Sequence, residues 1–254
     1  MNPAKERIHL LDEIRGIAVL GMILHHGLFG FCMFGLDLRL LRFDLLERVL
    51  ETVWFEWLRL PFVLAFLVIS GICCNFSKSN LKRGTVCFAV AMAVTLGTFL
   101  VGMPIKFGIL HLLGVCMLLA GILEKTKIHL PFWLVYLFGI LFFLSYNLKD
   151  TSLGMPGLSF CPMPQTLYET KFLFWLGLPD PTFSSSDYFP LLPWIFPFFS
   201  GVLIGQKINR VGWPDETKKL HLPFFSFLGR HSLWIYLIHQ PLFFGLFFLV
   251  DRFV

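Results

Sequence analysis

The first apolar stretch of the chain, residues 11–34, reads LDEIRGIAVLGMILHHGLFGFCMF. It opens with two acids and Arg15, and it is otherwise apolar apart from the adjacent His25 and His26. A helix that crosses a bilayer needs about 20 mostly apolar residues. The stretch therefore predicts a transmembrane helix over 14–34. No A-x-A-like cleavage site follows it, so we expect a retained helix rather than a signal peptide.

The whole composition agrees with a membrane location. Of 254 residues, 56% are hydrophobic and 15% are charged, against roughly 25% charged in soluble domains. The mean hydropathy is +0.74. Further apolar runs predict spans at 53–76, 86–104, 108–123, 130–146, 189–206 and 231–250. We therefore expect an all-α, polytopic bundle of about seven transmembrane helices, forming a single domain over 1–254.

The placement of lysine and arginine predicts the orientation, because short cytoplasmic loops carry an excess of these residues. With the N-terminus inside, the inner segments would hold Lys5, Arg7, Lys78, Lys82, Arg83, Lys125, Lys127, Lys207, Arg210, Lys218 and Lys219. The sequence thus favours an N-inside, C-outside topology. The net charge of +5 fits contact with anionic lipid and gives no reason to expect nucleic-acid binding.

The longest predicted loop, 147–188, lies on the outer side and is rich in Pro, Gly and Ser. At this length we expect a functional lid rather than a linker. Its segment 172–178 is too short to cross and predicts an interfacial or re-entrant element. The six cysteines contain no C-x-x-C pair, so we expect apolar packing rather than a metal site. Cys32 and Cys161 both fall outside and could pair.

The first helix carries a polar stripe. Arg15 and His26 are eleven positions apart, which leaves about 20° between them around the helix and about 16 Å along it. His25 lies about 80° from that line. Ionisable groups within a span are costly and indicate function. The alternatives are that Arg15 anchors the helix at the interface beside Asp12 and that His26 is a packed histidine.

Polar residues also mark the ends of other predicted spans. His111 and Asp187 fall at the outer ends of the fourth and sixth spans, so His26, His111 and Asp187 could meet in one outer cavity. Glu56 and Arg59 enter the second span from the same side, where a local ion pair is the alternative. In the seventh span Ser232, Tyr236, His239 and Gln240 form one stripe, which predicts a lined cavity or polar contacts between helices.

Four motifs carry a resemblance to known families. Leu11-Asp12, Arg15-Gly16 and His26 resemble the R-X10-H first helix of the membrane acyltransferase superfamily. GILHLLGV at 108–115, DYFPLLPW at 187–194 and GRHSLWIYLIHQP at 229–241 are similar to small bacterial proteins of the heparan-α-glucosaminide N-acetyltransferase catalytic-domain family. The resemblance runs from about residue 7 to 250, and the motif at 229–241 is the most specific.

The resemblance implies transfer of an acetyl group from cytoplasmic acetyl-CoA to a hydroxyl or amine at the far face. The acceptor would be a sugar, a glycan or a small molecule, and the location a bacterial cytoplasmic membrane. The family's catalytic histidine in the first outer loop has no counterpart here. The expected catalytic residues are therefore His26, then His111, with Asp187 and His25. The donor would contact Arg15, Lys82, Arg83, Arg230, His231, Tyr236, His239 and Gln240.

We expect neutral His26 to act as general base on the acceptor, its tautomer fixed by a neighbour such as Asp187. Direct transfer is the simpler route, and an acetyl-imidazole intermediate is the covalent alternative. A transporter or flippase could also use a polar-lined bundle, although an odd span count without an inverted repeat speaks against it. A non-catalytic membrane scaffold is a third possible function. The length of the acyl chain and homodimerisation stay open.

Overall fold

Helices form at every predicted apolar segment in the computed structural model, which describes residues 9–33, 48–213 and 222–253. The helices and strands are α1 (His9–Met33), α2 (Val53–Cys74), α3 (Asn80–Leu100), α4 (Ile109–Thr126), α5 (Leu134–Leu144), β1 (Ser152–Met155), β2 (Leu158–Pro162), α6 (Leu191–Val211), α7 (Pro223–Arg230) and α8 (Ser232–Phe253). Helix predominates among the described residues, so the predicted helical class is confirmed, with a small hairpin added.

Four of these helices are long and apolar enough to cross a membrane within the described ranges: α2, α3, α4 and α6. Helix α5 is also apolar but has 11 residues, which corresponds to about 16 Å. Large apolar side chains stay exposed along α3, where Leu96, Phe99 and Leu100 are 64%, 67% and 78% exposed. Exposure of these apolar side chains to water would be energetically unfavourable, whereas their contact with lipid would not. The chain is therefore an integral membrane protein.

The start of helix α3 differs from the prediction for a local reason. Helix α3 begins at Asn80 rather than near 86, because the Ser79 side chain accepts a hydrogen bond from the Lys82 N–H and caps the helix before the apolar run starts. Helix α7 was not predicted as a separate element. The topology predictions at Lys5, Arg7, Lys218 and Lys219 lie outside the described residues. Cys161 is a free, exposed cysteine, so the structure does not form the disulfide to Cys32 that the sequence allowed.

The chain divides into two compact units. The first contains α1, the part of α2 up to Phe66, α7 and α8; the second runs from Leu67 to Gly212. In the first unit α1 packs against α7 and α8. In the second, α4 packs on α3, and α6 contacts both α4 and α5. That the whole chain acts as one domain stays a prediction.

The long loop after α5 is folded by side-chain bonds to the backbone. Strands β1 and β2 pair in antiparallel register, with Ser152 opposite Pro162. The Asn147 amide donates to the Met155 and Leu158 carbonyls at 2.8 and 3.2 Å. The Tyr168 hydroxyl donates to the Leu148 carbonyl at 2.6 Å. The sequence did not predict this hairpin, and the lid role of the loop stays a prediction.

Candidate functional site

Helix α1 is unbroken from His9 to Met33, so the helical spacing predicted for Arg15 and His26 applies to it. Arg15 lies in the first turns, with its Nη1 3.4 Å from the Asp12 carboxylate. This contact matches the alternative in which Asp12 supports Arg15. The Arg15 side chain as a whole is 18% exposed.

His26 contacts a histidine from another helix. Its Nδ1 is 2.8 Å from Nε2 of His239 in α8, and the two ring planes are 22° apart with centroids 5.0 Å apart. His239 is 5% exposed. The sequence analysis predicted that His239 contacts the acetyl-CoA donor. The contact between His26 and His239 could nevertheless have been predicted from their depth in the membrane. Both residues lie roughly 15 Å from the inner ends of parallel predicted spans, which places them at similar depth.

The other ring nitrogen of His239 faces its own helix. Nδ1 lies 2.7 Å from the Tyr236 carbonyl oxygen and 3.2 Å from that of Ile235. The Tyr236 ring is also close to the imidazole, with centroids 5.7 Å apart. Two residues of the predicted stripe on α8, Tyr236 and His239, are thus in contact.

His25 contacts helix α2 of the same unit. Its ring stacks on Phe55 of α2 at 5.6 Å and meets the His26 ring edge-on at 5.3 Å. Arg59 donates from Nη2 and Nε to the two Glu56 carboxylate oxygens at 2.7 and 3.1 Å. This pair is near enough to interact electrostatically with His25. The local ion pair therefore forms, and it forms beside the histidines.

A buried carboxylate that sequence reasoning missed joins α1 to α7. Glu13 is 1% exposed, and its Oε1 accepts the Leu222 N–H at 2.7 Å, at the start of α7. A carboxylate suits a helix N-terminus, where unsatisfied N–H groups carry partial positive charge. One feature of the sequence pointed to this contact: Glu13 is an acid at the start of a predicted span that is otherwise mostly apolar.

Two glycines let the backbones of α1 and α7 touch. A Cβ on Gly16 would lie 2.0 Å from the Phe225 carbonyl oxygen, and one on Gly229 would lie 1.8 Å from that of Asp12. Arg230 follows Gly229 directly, and Arg15 is one turn beyond Asp12. The contact therefore brings the two arginines to the same end of the unit.

The other residues that were predicted to contact the acetyl-CoA donor differ in their surroundings. Arg230 is exposed and donates from Nε to the Ser226 carbonyl at 3.2 Å. His231 is exposed and lies 2.9 Å from the Phe227 carbonyl oxygen, while Gln240 is half-buried. Lys82 and Arg83 are exposed at the start of α3 in the second unit, and their role stays a prediction.

The second unit brings His111 and Asp187 to the N-terminus of α4. The Asp187 carboxylate accepts the Ile109 N–H at 3.2 Å, and His111 Nδ1 accepts the Gly108 N–H at 3.2 Å. His111 Nε2 is 3.1 Å from the Thr95 hydroxyl. That hydroxyl donates to the Ile105 carbonyl, so it accepts from His111. Both nitrogens of His111 are thus occupied, Nδ1 at the N-terminus of α4 and Nε2 by Thr95 of α3.

His26 belongs to the first unit and His111 and Asp187 to the second, so their meeting in one cavity stays a prediction. Just before α6, the Tyr188 hydroxyl donates to the Phe174 carbonyl at 2.5 Å, and burial raises the pKa of this phenol. Tyr188 therefore remains a proton donor that fixes the loop. Within the described ranges, no group of three or more His, Cys, Asp and Glu could hold a metal ion.

Comparison with known proteins identifies the family. No curated protein and no solved structure matches the chain. The family model described as heparan-alpha-glucosaminide N-acetyltransferase, catalytic, matches residues 7–241, a range that includes Arg15, His26, His111, Asp187 and His239. A match over nearly the whole chain confirms the predicted resemblance. The protein belongs to the heparan-α-glucosaminide N-acetyltransferase catalytic family.

Proposed function

We propose that the protein is a transmembrane acetyltransferase that moves an acetyl group from cytoplasmic acetyl-CoA to a hydroxyl or amine at the far membrane face. The observation that carries the proposal is the first unit's arrangement of Arg15 and His26 on one helix, with His26 bonded to His239. Family membership supports acetyl transfer. The acceptor class is a sugar or glycan.

The topology that goes with this function has seven spans, with the N-terminus in the cytoplasm of a bacterial cell and the protein in its cytoplasmic membrane. Four helices meet the length and hydropathy needed to span. Helices α1, α5 and α8 would supply the other three. Basic residues in short inner segments support this orientation.

The donor would enter at the end of the first unit that holds Arg15 and Arg230. Guanidinium groups bind phosphate through paired hydrogen bonds, and acetyl-CoA carries several phosphates. The backbone contact between Asp12 and Gly229 supports a shared role, because Arg230 follows Gly229 directly and Arg15 is about one turn from Asp12 along α1. The uncharged pantetheine arm would then extend along α1 toward His26.

The reaction would take place at His26. Its basic nitrogen removes the proton from the acceptor as the acceptor oxygen or nitrogen attacks the thioester carbonyl carbon. The carbon–sulfur bond breaks, and the CoA thiolate takes the proton back from the imidazolium. The ion pair of Glu56 and Arg59 beside His25 offers hydrogen-bonding groups at the acceptor side.

Proteoliposomes with the protein in one orientation test the function. Acetyl-CoA labelled in the acetyl group is added on one side, and amino sugars and glycans are enclosed on the other. We expect labelled acetylated acceptor inside, and no label when the protein is omitted. Acceptor that crosses the membrane unmodified, without acetyl-CoA binding measured by calorimetry, would instead indicate a transporter.

Replacing Arg15 with alanine is expected to raise the Kd for acetyl-CoA by about 10- to 100-fold, since a hydrogen bond to a charged group contributes roughly 1.5–3 kcal/mol. The kcat at saturating donor should change much less. Calorimetry with the purified protein measures the Kd. Lys125→Ala, at an exposed basic residue in the last turn of α4, is the control and should bind normally. An unchanged Kd in Arg15→Ala would remove Arg15 from the donor site.

A further inference from the structure

We infer that His239 is a positioning residue that fixes the tautomer of His26, so that Nε2 of His26 is the basic atom of the reaction. The inference rests on the proposed function for its catalytic meaning. The tautomer itself follows from the hydrogen bonds of the first unit and can be measured without any turnover.

The chain of bonds begins at the backbone of α8. His239 Nδ1 lies 2.7 and 3.2 Å from the carbonyl oxygens of Tyr236 and Ile235. Carbonyl oxygens only accept, and a bare nitrogen lone pair at this distance would repel them. Nδ1 of His239 therefore carries the proton and donates. In a neutral imidazole one nitrogen is a donor and the other an acceptor, so Nε2 of His239 is bare.

The second hydrogen bond determines which nitrogen of His26, on α1, carries the proton. His26 Nδ1 lies 2.8 Å from His239 Nε2, which is a normal hydrogen-bond length. Since Nε2 of His239 accepts, Nδ1 of His26 must donate and therefore carries the proton. The lone pair of neutral His26 is then on Nε2, the nitrogen that faces away from His239. Any general-base chemistry by His26 takes place at that atom.

Burial supports neutral rather than charged rings in the resting state. His239 is 5% exposed, and an isolated charge in apolar surroundings is strongly unfavourable. Among the described residues, Arg59 interacts electrostatically with His26, and its charge is balanced by two hydrogen bonds to Glu56. His25 is the third imidazole nearby and contacts His26 edge-on.

The same hydrogen bonds also stabilise the His26 imidazolium that forms during transfer. When Nε2 of His26 accepts the acceptor's proton, the imidazolium keeps its Nδ1–H bond to His239. That bond is stronger to a charged donor, and His239 in turn donates to the backbone. His239 thus stabilises His26 most in the state that forms during transfer. The buried aspartate of a serine-protease triad acts on its histidine in the same manner.

Two substitutions separate this role from simple packing. Gln at position 239 can place an amide oxygen near the position of Nε2 and accept from His26, whereas Leu fills similar space and cannot accept. We expect His239→Leu to lower kcat about 100-fold or more, with the KM for acetyl-CoA unchanged within about twofold. His239→Gln should retain kcat within about tenfold of wild type. Ile238→Val, at a 56% exposed neighbour on α8, is the control.

Solid-state NMR of the ¹⁵N-histidine-labelled protein in bilayers reads the tautomer directly. The signals of His26 are those among eight histidines that His26→Gln removes. We expect a protonated Nδ1 and a bare Nε2 on His26 in the wild type and in His239→Gln, and a mixture of tautomers in His239→Leu. Thermal unfolding confirms that each variant folds.

The outcomes distinguish this inference from the proposed function. A protonated Nε2 on wild-type His26, or equal losses of kcat in His239→Gln and His239→Leu, would overturn the inference even if the protein transfers acetyl groups. If the wild type transfers none, the proposed function fails. The NMR result then still decides whether His239 fixes the tautomer.

Discussion

Replacing His26 with alanine is expected to lower kcat for acetyl transfer by about 100- to 10,000-fold, the usual contribution of a general base, while acetyl-CoA still binds. The reason is that the substitution removes the nitrogen that takes the acceptor's proton but leaves Arg15 and Arg230 in place. Transfer of labelled acetyl in proteoliposomes measures kcat, and calorimetry measures the Kd for acetyl-CoA.

His26→Gln provides a second variant for the same prediction. Glutamine keeps a polar side chain of similar length but has no basic nitrogen, so we expect it to be as inactive as alanine. His129→Ala, at an exposed histidine beyond α4, is the control and should be fully active. Wild-type activity in His26→Ala would remove the proposed mechanism. Loss of acetyl-CoA binding along with kcat would contradict the prediction that donor binding does not depend on His26.

Gly229→Ala is expected to lower the free energy of unfolding by about 3 kcal/mol, at the upper end of overpacking effects, or to prevent folding. The added Cβ would lie 1.8 Å from the Asp12 carbonyl oxygen. Both atoms belong to helix backbones, so no side-chain rotation relieves the clash and α7 must move away from α1. Equilibrium unfolding in mixed detergent micelles, followed by circular dichroism, measures the change.

Gly245→Ala is the matched control for Gly229→Ala. Gly245 lies in α8 of the same unit, and a Cβ there would meet nothing within 4 Å among the residues that the structure describes. Alanine has a higher helix propensity than glycine by up to about 1 kcal/mol, so this variant should unfold no more easily than the wild type. Equal stability of the two variants would contradict the close backbone contact.

The apolar runs predicted the helices well because membrane insertion depends mainly on local composition and length. The spacing of Arg15 and His26 was predictable for a similar reason, since helix geometry fixes the relation between residues on one continuous segment. Boundaries were less predictable. Ser79 begins α3 before the apolar residues do, and the hairpin after Ser152 depends on bonds from Asn147 to Met155 and Leu158.

The roles within the candidate site were only partly predictable. His239 was recognised as an unusual polar residue within a span, but its contact was assigned to the donor rather than to His26. His111 was expected to be a second catalytic histidine, and this stays a prediction. The sequence did not predict that it bonds to Gly108 at the start of α4 and to Thr95 of α3. Glu13 was not assigned any role, because an acid near a helix start looks the same whether it faces water or another helix.

The sequence by itself determined that this chain is a helical membrane protein, which family it resembles, and that one helix carries both Arg15 and His26. Tertiary structure decided that His239 bonds to His26 and that α7 packs against α1 through Glu13, Gly16 and Gly229. The residues of the histidine pair are 213 positions apart. Their contact depends on how closely whole helices approach one another, and that distance is set by backbone packing rather than by any local pattern.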